Sequence, residues 1–133
     1  MNLRNLFKLP WTKKQFVTDR DYEHNLNKQV NGVPLVVEQL RKIGISNDKE
    51  LSVEYFFYTN SIEKAKQLAV EMELLQYSAV YREAAGGDNL FVITGQTTKM
   101  RMADEVITKW VERMCELSHK YDCEFDGWGT LLE

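Results

Sequence analysis

The chain has 133 residues, of which 44% are hydrophobic and 28% charged, and its net charge is −3. These values favour a single folded domain and exclude a predominantly disordered chain. No apolar run approaches the roughly 20 residues that a membrane span needs. The N-terminus also lacks the continuous apolar region of a secretory signal peptide. We therefore expect a cytosolic protein whose two cysteines are reduced.

We predict that residues 1–30 form a basic, loosely ordered N-terminal arm and that residues 31–133 form the folded domain. Four of the 17 Lys and Arg residues lie in residues 1–14, which contain no acid. The rest of the chain therefore has 13 basic and 20 acidic residues, and its net charge is −7. Because phosphate contacts need clustered basic side chains, we expect no strong nucleic-acid binding by this acidic body. A basic protein segment is a better-matched partner.

Hydrophobic periodicity predicts three helices and four strands after the arm. The helices are expected at residues 33–43, 61–76 and 102–121, and the strands at residues 51–58, 78–83, 89–95 and 123–126. Pro34 lies in the first turn of the first helix, and Gly44 ends that helix. Asn60 is the expected N-cap of the second helix. The glycines of residues 84–88 predict a hairpin loop.

The order after the first helix is β-α-β-β-α-β, the split βαβ pattern. It predicts an α+β, ferredoxin-like sandwich with an antiparallel four-stranded sheet and an additional N-terminal helix, Pro34–Ile43. Phe56 and Tyr58, with Tyr81 as a further candidate, are expected on the second face of the sheet. Such aromatics are typical of an RNA-recognition motif, but the basic and glycine residues of its signature are missing. The first helix must bury its apolar stripe at an edge of the sheet or on its open face, and cover by this helix explains the aromatics better than RNA binding does.

Cys115, His119 and Cys123 are each four residues apart, which suggests a metal or thiol site. A structural zinc site needs four ligands, however, and the helix is expected to end near Tyr121. A catalytic thiol needs an activating environment that nothing in the sequence indicates. We interpret the three residues as two buried thiols and a surface histidine, and we expect no metal and no cofactor. A thiol- or metal-dependent enzyme is the less favoured alternative.

Two glycines flank a tryptophan near the C-terminus, in Asp126, Gly127, Trp128 and Gly129. The structural interpretation is that the glycines turn the chain sharply and that Trp128 closes the core. The functional interpretation is that Trp128 is an anchor at an interface. Asp126 has no second titratable partner in this segment for acid–base chemistry, so we expect no catalytic residue here.

Residues 121–130, YDCEFDGWGT, resemble the C-terminal signature of the regulator of ribonuclease E activity B family, the ribonuclease E inhibitor domain. The resemblance extends from about Asn31 onward. It implies a ferredoxin-like, non-enzymatic protein that binds an endoribonuclease and inhibits or modulates it in RNA decay. We predict that the partner-binding residues are those that match the signature, namely Asp126, Gly127, Trp128 and Gly129.

Two features of the sequence differ from the best-known members of that family. Those members continue after the signature into a long acidic tail, which this sequence does not include. The basic segment Met1–Lys14 is the other difference. It supports the alternative hypothesis that the protein binds RNA or an anionic surface through its arm, in a salt-sensitive manner.

Overall fold

The computed structural model describes residues 15–86 and 89–130, so the basic segment 1–14 lies outside the described residues. The helices are α1 (Asp19–Lys42), α2 (Ile62–Leu74) and α3 (Asp104–Lys120). The strands are β1 (Glu50–Leu51), β2 (Val53–Thr59), β3 (Val80–Glu83), β4 (Phe91–Gln96), β5 (Met100–Arg101) and β6 (Glu124–Thr130). Within the described ranges, no helix is long and apolar enough to cross a membrane.

The main sheet has four strands in the order β3-β4-β2-β6, and each neighbouring pair is antiparallel. The predicted α+β class is therefore confirmed, and so is the antiparallel hairpin of β3 and β4. A second antiparallel sheet of β1 and β5 was not predicted from the sequence, because each of its strands has two residues. The finer assignment, that the fold is ferredoxin-like, stays a prediction.

The two faces of the main sheet differ in what covers them. Tyr55 and Phe57 of β2 are fully buried, and they share one core cluster with residues of α2 and α3. Both helices therefore pack on this side, which we call the helix face. The alternate residues Phe56 and Tyr58 are only half-buried and lie on the opposite side, which we call the open face. The alternation predicted for this strand is confirmed.

Helix α1 begins at Asp19, so the prediction that residues 19–30 belong to a loose arm is wrong. Thr18 caps the helix, because its Oγ1 accepts from the Asp21 N–H at 3.1 Å and its own N–H donates to Asp21 Oδ2 at 3.3 Å. Pro34 lies inside the helix and not in its first turn. The helix continues past Pro34 although this residue lacks a backbone donor, and the burial of Val33 and Val37 in the core helps to offset that loss.

The prediction that the first helix covers the open face is also wrong. Helix α1 packs mainly against α3, and its main contact with the four-stranded sheet is with β6, the strand at one edge. Tyr81 is not on the open face at all, because it pairs with Ile93, which pairs with the buried Phe57. Phe56 and Tyr58 are therefore not covered by any of the three described helices.

The start of α2 differs slightly from the prediction. Its N-cap is Ser61 and not Asn60. The Ser61 hydroxyl donates to Glu63 Oε2 at 2.9 Å, and the Asn60 side-chain oxygen accepts from Lys64 at 2.9 Å. Asn60 thus helps to hold a lysine that also contacts the start of β6, where the candidate site begins.

Candidate partner-binding surface

The structure brings the four predicted site residues together in one strand. Asp126, Gly127, Trp128 and Gly129 all lie in β6, which pairs with β2 over most of its length. The prediction of a short strand ending at Asp126 is therefore wrong, and so is the prediction that the two glycines turn the chain sharply. The glycines continue the strand, and only one of them has an unusual conformation.

That conformation belongs to a β-bulge. Phe57 pairs with Phe125 and Phe56 pairs with Gly127, so the intervening Asp126 has no partner on β2. Gly127 has φ +157°, a backbone angle that residues with a Cβ rarely adopt. The bulge explains the first glycine of the signature and leaves the Asp126 side chain exposed to solvent.

The bulge also determines which way Trp128 faces. Phe125 and Trp128 are three residues apart, so they would lie on opposite faces of a regular strand. The extra residue restores the alternation, and Trp128 pairs with Tyr55 on the helix face. Its ring meets Trp110 of α3 edge-on, with centroids 6.2 Å apart and an interplanar angle of 83°. The rings of Trp110 and Phe125 are also edge-on, with centroids 5.8 Å apart and an interplanar angle of 88°.

Trp128 is half-buried and packs at the margin of the core. This position agrees with the interpretation that it closes the core. It also leaves part of the indole accessible beside Asp126. An aromatic ring held in one orientation by a neighbour loses little conformational entropy when a partner binds, so the geometry suits both interpretations.

The outer edge of β6 is bonded to α1 at the bulge. The Asn25 amide donates to the Phe125 carbonyl at 2.8 Å. The Gln29 amide donates to the carbonyls of Phe125 and Asp126, at 3.3 Å and 3.2 Å. These bonds satisfy carbonyls at the edge of the sheet that could otherwise accept hydrogen bonds from a strand of another chain. They also fix the backbone of Asp126, so its exposed carboxylate stands at a defined place.

Carboxylates crowd this end of the sheet. Burial raises the pKa of Glu124, and the neighbouring carboxylates Asp126 and Asp21 raise it further, whereas Lys28 opposes the effect. Two carboxylates are therefore close enough to Glu124 to repel its negative charge. We call the group formed by Asp21, Glu124, Asp126, Gly127, Trp128 and Gly129 the signature surface.

Asp122 is a structural residue of this region that sequence reasoning missed. Its carboxylate accepts from the backbone N–H groups of Phe16, at 2.7 Å, and Val17, at 2.8 Å, and from the Lys64 ammonium. Its carbonyl accepts from Thr59 Oγ1 at 3.1 Å. Asp122 has φ +58°, a left-handed conformation that Asp tolerates better than most residues. The available signal in the sequence was therefore an Asp at the end of a helix. It thus fixes the start of β6.

The three Cys and His candidates have different surroundings in the structure. Cys115 and Cys123 are buried, and burial raises the pKa of each thiol to about 12. His119, which we predicted to be a surface histidine, keeps 27% of its side chain exposed; its ring stacks on Tyr22 with centroids 4.2 Å apart, and its Nε2 lies 3.3 Å from Asp19 Oδ1. Among residues 15–86 and 89–130, no three His, Cys, Asp or Glu side chains are grouped as metal ligands.

Comparison with known proteins identifies the family. The family model described as "Regulator of ribonuclease activity B" matches residues 35–130, which include the end of α1 and the whole of β6. A Salmonella typhi protein of that name is 30% identical over 115 residues, covering 81% of this chain and 80% of its own length. The Escherichia coli (strain K12) protein of the same name is 27% identical over 111 residues, with coverage of 81% and 80%.

A third relative of the same name, from Pantoea ananatis, is 26% identical over 119 residues and is covered over 81% of its length. The matched region therefore spans most of both chains and includes every residue of the signature in β6. The chain belongs to the Regulator of ribonuclease activity B family.

Proposed function

We propose that this protein is a non-enzymatic regulator that binds an endoribonuclease in the cytoplasm and modulates its activity in RNA decay. The observation that carries the proposal is the family match over residues 35–130, together with the regulatory role stated in the relatives' name. Its protonated thiols support a role without nucleophilic catalysis, because a thiol with a pKa of about 12 is a poor nucleophile at neutral pH.

The contact that we propose is made through the signature surface. Asp126 is exposed at the bulge, and its backbone is fixed by Gln29 of α1. Asp21 and Glu124 add negative charge nearby. A surface of this sign attracts a basic segment and orients it during encounter. The partner's contact region is therefore expected to be rich in Lys and Arg.

The residues of the signature have separate roles in this proposal. Gly127 permits the bulge that leaves Asp126 outside the strand pairing. Trp128 supplies a half-exposed aromatic ring beside it, held edge-on against Trp110. Charge therefore contributes mainly to the association rate, and the aromatic ring to the lifetime of the complex.

The test is equilibrium binding of the purified protein to the purified endoribonuclease of the same host. Asp126→Lys is expected to weaken binding by about tenfold or more, since it reverses the charge at an exposed position. Glu112→Lys is the matched control, because Glu112 is an exposed acid on α3, outside the signature surface. It should leave the affinity within about twofold of the wild type. Equal circular dichroism melts would show that both variants are folded.

Three outcomes separate parts of the proposal. Loss of binding in Asp126→Lys alone supports the signature surface as the contact. Equal weakening in both variants would mean that only total charge matters, and it would reject the assigned surface. If the wild-type protein does not bind the ribonuclease at low salt, where charged contacts are strongest, the proposed partner is wrong.

A further inference from the structure

The two edges of the main sheet differ in what closes them. At the β6 edge, the side-chain amides of Asn25 and Gln29 in α1 bond backbone carbonyls of the strand. At the other edge, all four residues of β3 are exposed. This strand contains no proline and pairs with β4 without a bulge. Two common devices that prevent an edge strand from pairing with another chain are therefore missing from β3.

Every second residue of β3 directs its backbone N–H and C=O groups away from the sheet. The N–H groups of Ser78 and Ala84 donate to carbonyls on the β4 side, at 3.1 Å and 2.8 Å, so the even-numbered residues bond that side. The residues whose backbone groups point outward are therefore Ala79, Tyr81 and Glu83. Of these groups, only the Glu83 carbonyl has a hydrogen bond within the described residues, from the Arg82 guanidinium at 3.4 Å.

Large apolar side chains lie beside these outward groups. Val80 is 59% exposed, on the open face, and Tyr81 is 39% exposed, on the helix face. An exposed edge strand that combines unpaired backbone groups with apolar side chains is a template for another strand.

A second copy of β3 fits this edge in one register. In an antiparallel pair, residues with outward backbone groups must lie opposite each other. A pair centred on Tyr81 meets this condition three times, because Tyr81 lies opposite itself and Ala79 lies opposite Glu83 at both ends. The strand is thus complementary to its own copy.

The neighbouring registers are less favourable. A shift by one step towards the hairpin loop would place Arg82 opposite Arg82 of the other copy, and like charges in that position are destabilising. A shift the other way would need the N–H of Tyr77 for its third pair, but that group already donates to the Met72 carbonyl at 3.1 Å.

Helix α2 presents two opposite charges on the side of β3. Its Lys64 and Glu71 are seven residues apart and bond residues of the link between α3 and β6. Lys66 and Glu73 are also seven residues apart and lie on the opposite flank, towards β3, because β3 and β6 form the two edges of the sheet. Both are exposed, and neither takes part in an ion pair within residues 15–86 and 89–130.

The two charges lie at different heights along β3. Helix α2 begins just after Thr59, which is in register with Glu83 through β4, and it ends where the chain turns back towards the start of β3. Lys66 is therefore nearer the Glu83 end of the strand, and Glu73 is nearer the opposite end. Tyr81 lies between them in height.

We propose that two copies of this chain pair β3 with β3 in antiparallel orientation about a two-fold axis at Tyr81. The two four-stranded sheets then form one continuous sheet with both helix faces on the same side. The axis reverses one copy relative to the other, so Lys66 of each copy is opposed to Glu73 of the other across the paired strands.

The contact is a weak one. Two strands of this length bury less area than the roughly 1,600 Å² of a standard stable interface, so the dimer is expected to form only as the protein concentration rises. The β3 edge lies across the sheet from β6 and leaves the signature surface free. The dimer therefore does not depend on the proposed ribonuclease partner.

The first experiment is sedimentation equilibrium of the full chain from about 10 µM to about 1 mM. The average mass should rise from 15.6 kDa towards twice that value. Tyr81→Pro removes an N–H that does not bond β4 and should stay monomeric, whereas the control Tyr81→Thr keeps that N–H and should still associate. A wild-type protein that is monomeric at 1 mM, or a folded Tyr81→Pro variant that associates equally well, would overturn the proposal.

The second experiment exchanges the charges of α2. Lys66→Glu should weaken association by about tenfold or more, because it opposes like charges at both ends of the interface. The double variant K66E/E73K has the wild-type net charge and should restore association. Failure of the double variant to recover the dimer would exclude the assigned contact between the two helices.

The third experiment tests the register by cross-linking. In the proposed pair, the Cα atoms of the two residues 81 are about 5.5 Å apart and those of the two residues 80 are about 8 Å apart, so only the first pair lies within disulfide range. The native Cys115 and Cys123 are buried. Under mild oxidation, Tyr81→Cys should form a covalent dimer at least about tenfold faster than Val80→Cys. Equal rates, or a faster reaction of Val80→Cys, would contradict the register.

Discussion

Lys64 and Asp122 form an ion pair that joins α2 to the start of β6, with only 18% and 21% of their side chains exposed. The pair is supported on both sides. Asn60 accepts from the lysine, and the N–H groups of Phe16 and Val17 donate to the carboxylate. One carboxylate thus ties together the segment before α1, the start of α2 and the first residues of the signature.

Asp122→Ala is expected to destabilise the protein by about 2–4 kcal/mol, because it removes the carboxylate that accepts from the Lys64 ammonium and from two backbone N–H groups. It also places a residue with a Cβ and no polar side chain at φ +58°. Asp122→Asn should cost less, since Asn tolerates this conformation and keeps one acceptor oxygen. Urea denaturation followed by circular dichroism measures both changes.

The exposed pair Glu38–Lys42 on α1 is the matched control for this ion pair. Glu38→Ala should change the free energy of unfolding by less than about 0.5 kcal/mol, because solvent screens the interaction. Lys64→Met combined with Asp122→Ala should cost less than the sum of the single changes. Strict additivity would show that Lys64 and Asp122 do not stabilise each other.

Trp110 and Trp128 meet edge-on but differ in burial, and their truncation should differ accordingly. Trp110→Ala is expected to cost about 3–5 kcal/mol, as for a fully packed core aromatic. Trp128→Ala should cost about 1–3 kcal/mol, because half-burial removes less surface from water. Thermal melts of both variants test the order. An unchanged melting temperature in Trp128→Ala would show that this ring does not close the core.

Gly95 lies inside β4, opposite Tyr55, and not at the end of the strand as predicted. A Cβ there would be 1.9 Å from the Ser78 carbonyl oxygen and 2.6 Å from the Tyr55 hydroxyl, which itself donates to that carbonyl. Gly95→Ala should therefore cost at least about 3 kcal/mol, the upper part of the range for overpacking.

Gly129→Ala is the control for this substitution, because a Cβ at Gly129 meets no atom within 4 Å. It should change the free energy of unfolding by less than about 1 kcal/mol. Both values come from denaturant titrations of the purified variants. Similar losses in the two variants would mean that close approach to Ser78 is not the reason for glycine at position 95.

The two cysteines should be nearly unreactive in the folded protein. Because burial raises the pKa of each thiol to about 12, the thiolate fraction at neutral pH is very small. Reaction with Ellman's reagent is expected to be at least about 100-fold slower in buffer than in denaturing urea. A thiol that reacts rapidly in the native protein would revive the hypothesis of a thiol enzyme.

Local pattern was sufficient to predict the elements that form the core. Tyr55 and Phe57 lie at alternate positions of β2, and Trp110 lies among apolar residues at helical spacing in α3; all three are buried, as such patterns predict. The start of α1 was missed because Pro34 was assigned to a first turn. The capping box of Thr18 and Asp21, three residues apart, was the local signal that indicated the true start.

The candidate site depends on contacts that local pattern does not contain. The role that we propose for Asp126 depends on a bulge, and a bulge is defined by the partner strand as much as by its own sequence. The anchoring of β6 by Lys64 joins residues that are 58 positions apart in the chain. The family signature indicated which residues to consider, but their geometry required the fold.

The most direct test of the central claim is the rate at which the host's purified endoribonuclease cleaves a defined RNA as this protein is added. We predict a saturable change in rate with wild-type protein and with Glu112→Lys, and a shift to about tenfold higher protein concentration with Asp126→Lys. A cleavage rate that stays constant up to saturating wild-type protein would contradict the proposal that this member of the family regulates a ribonuclease.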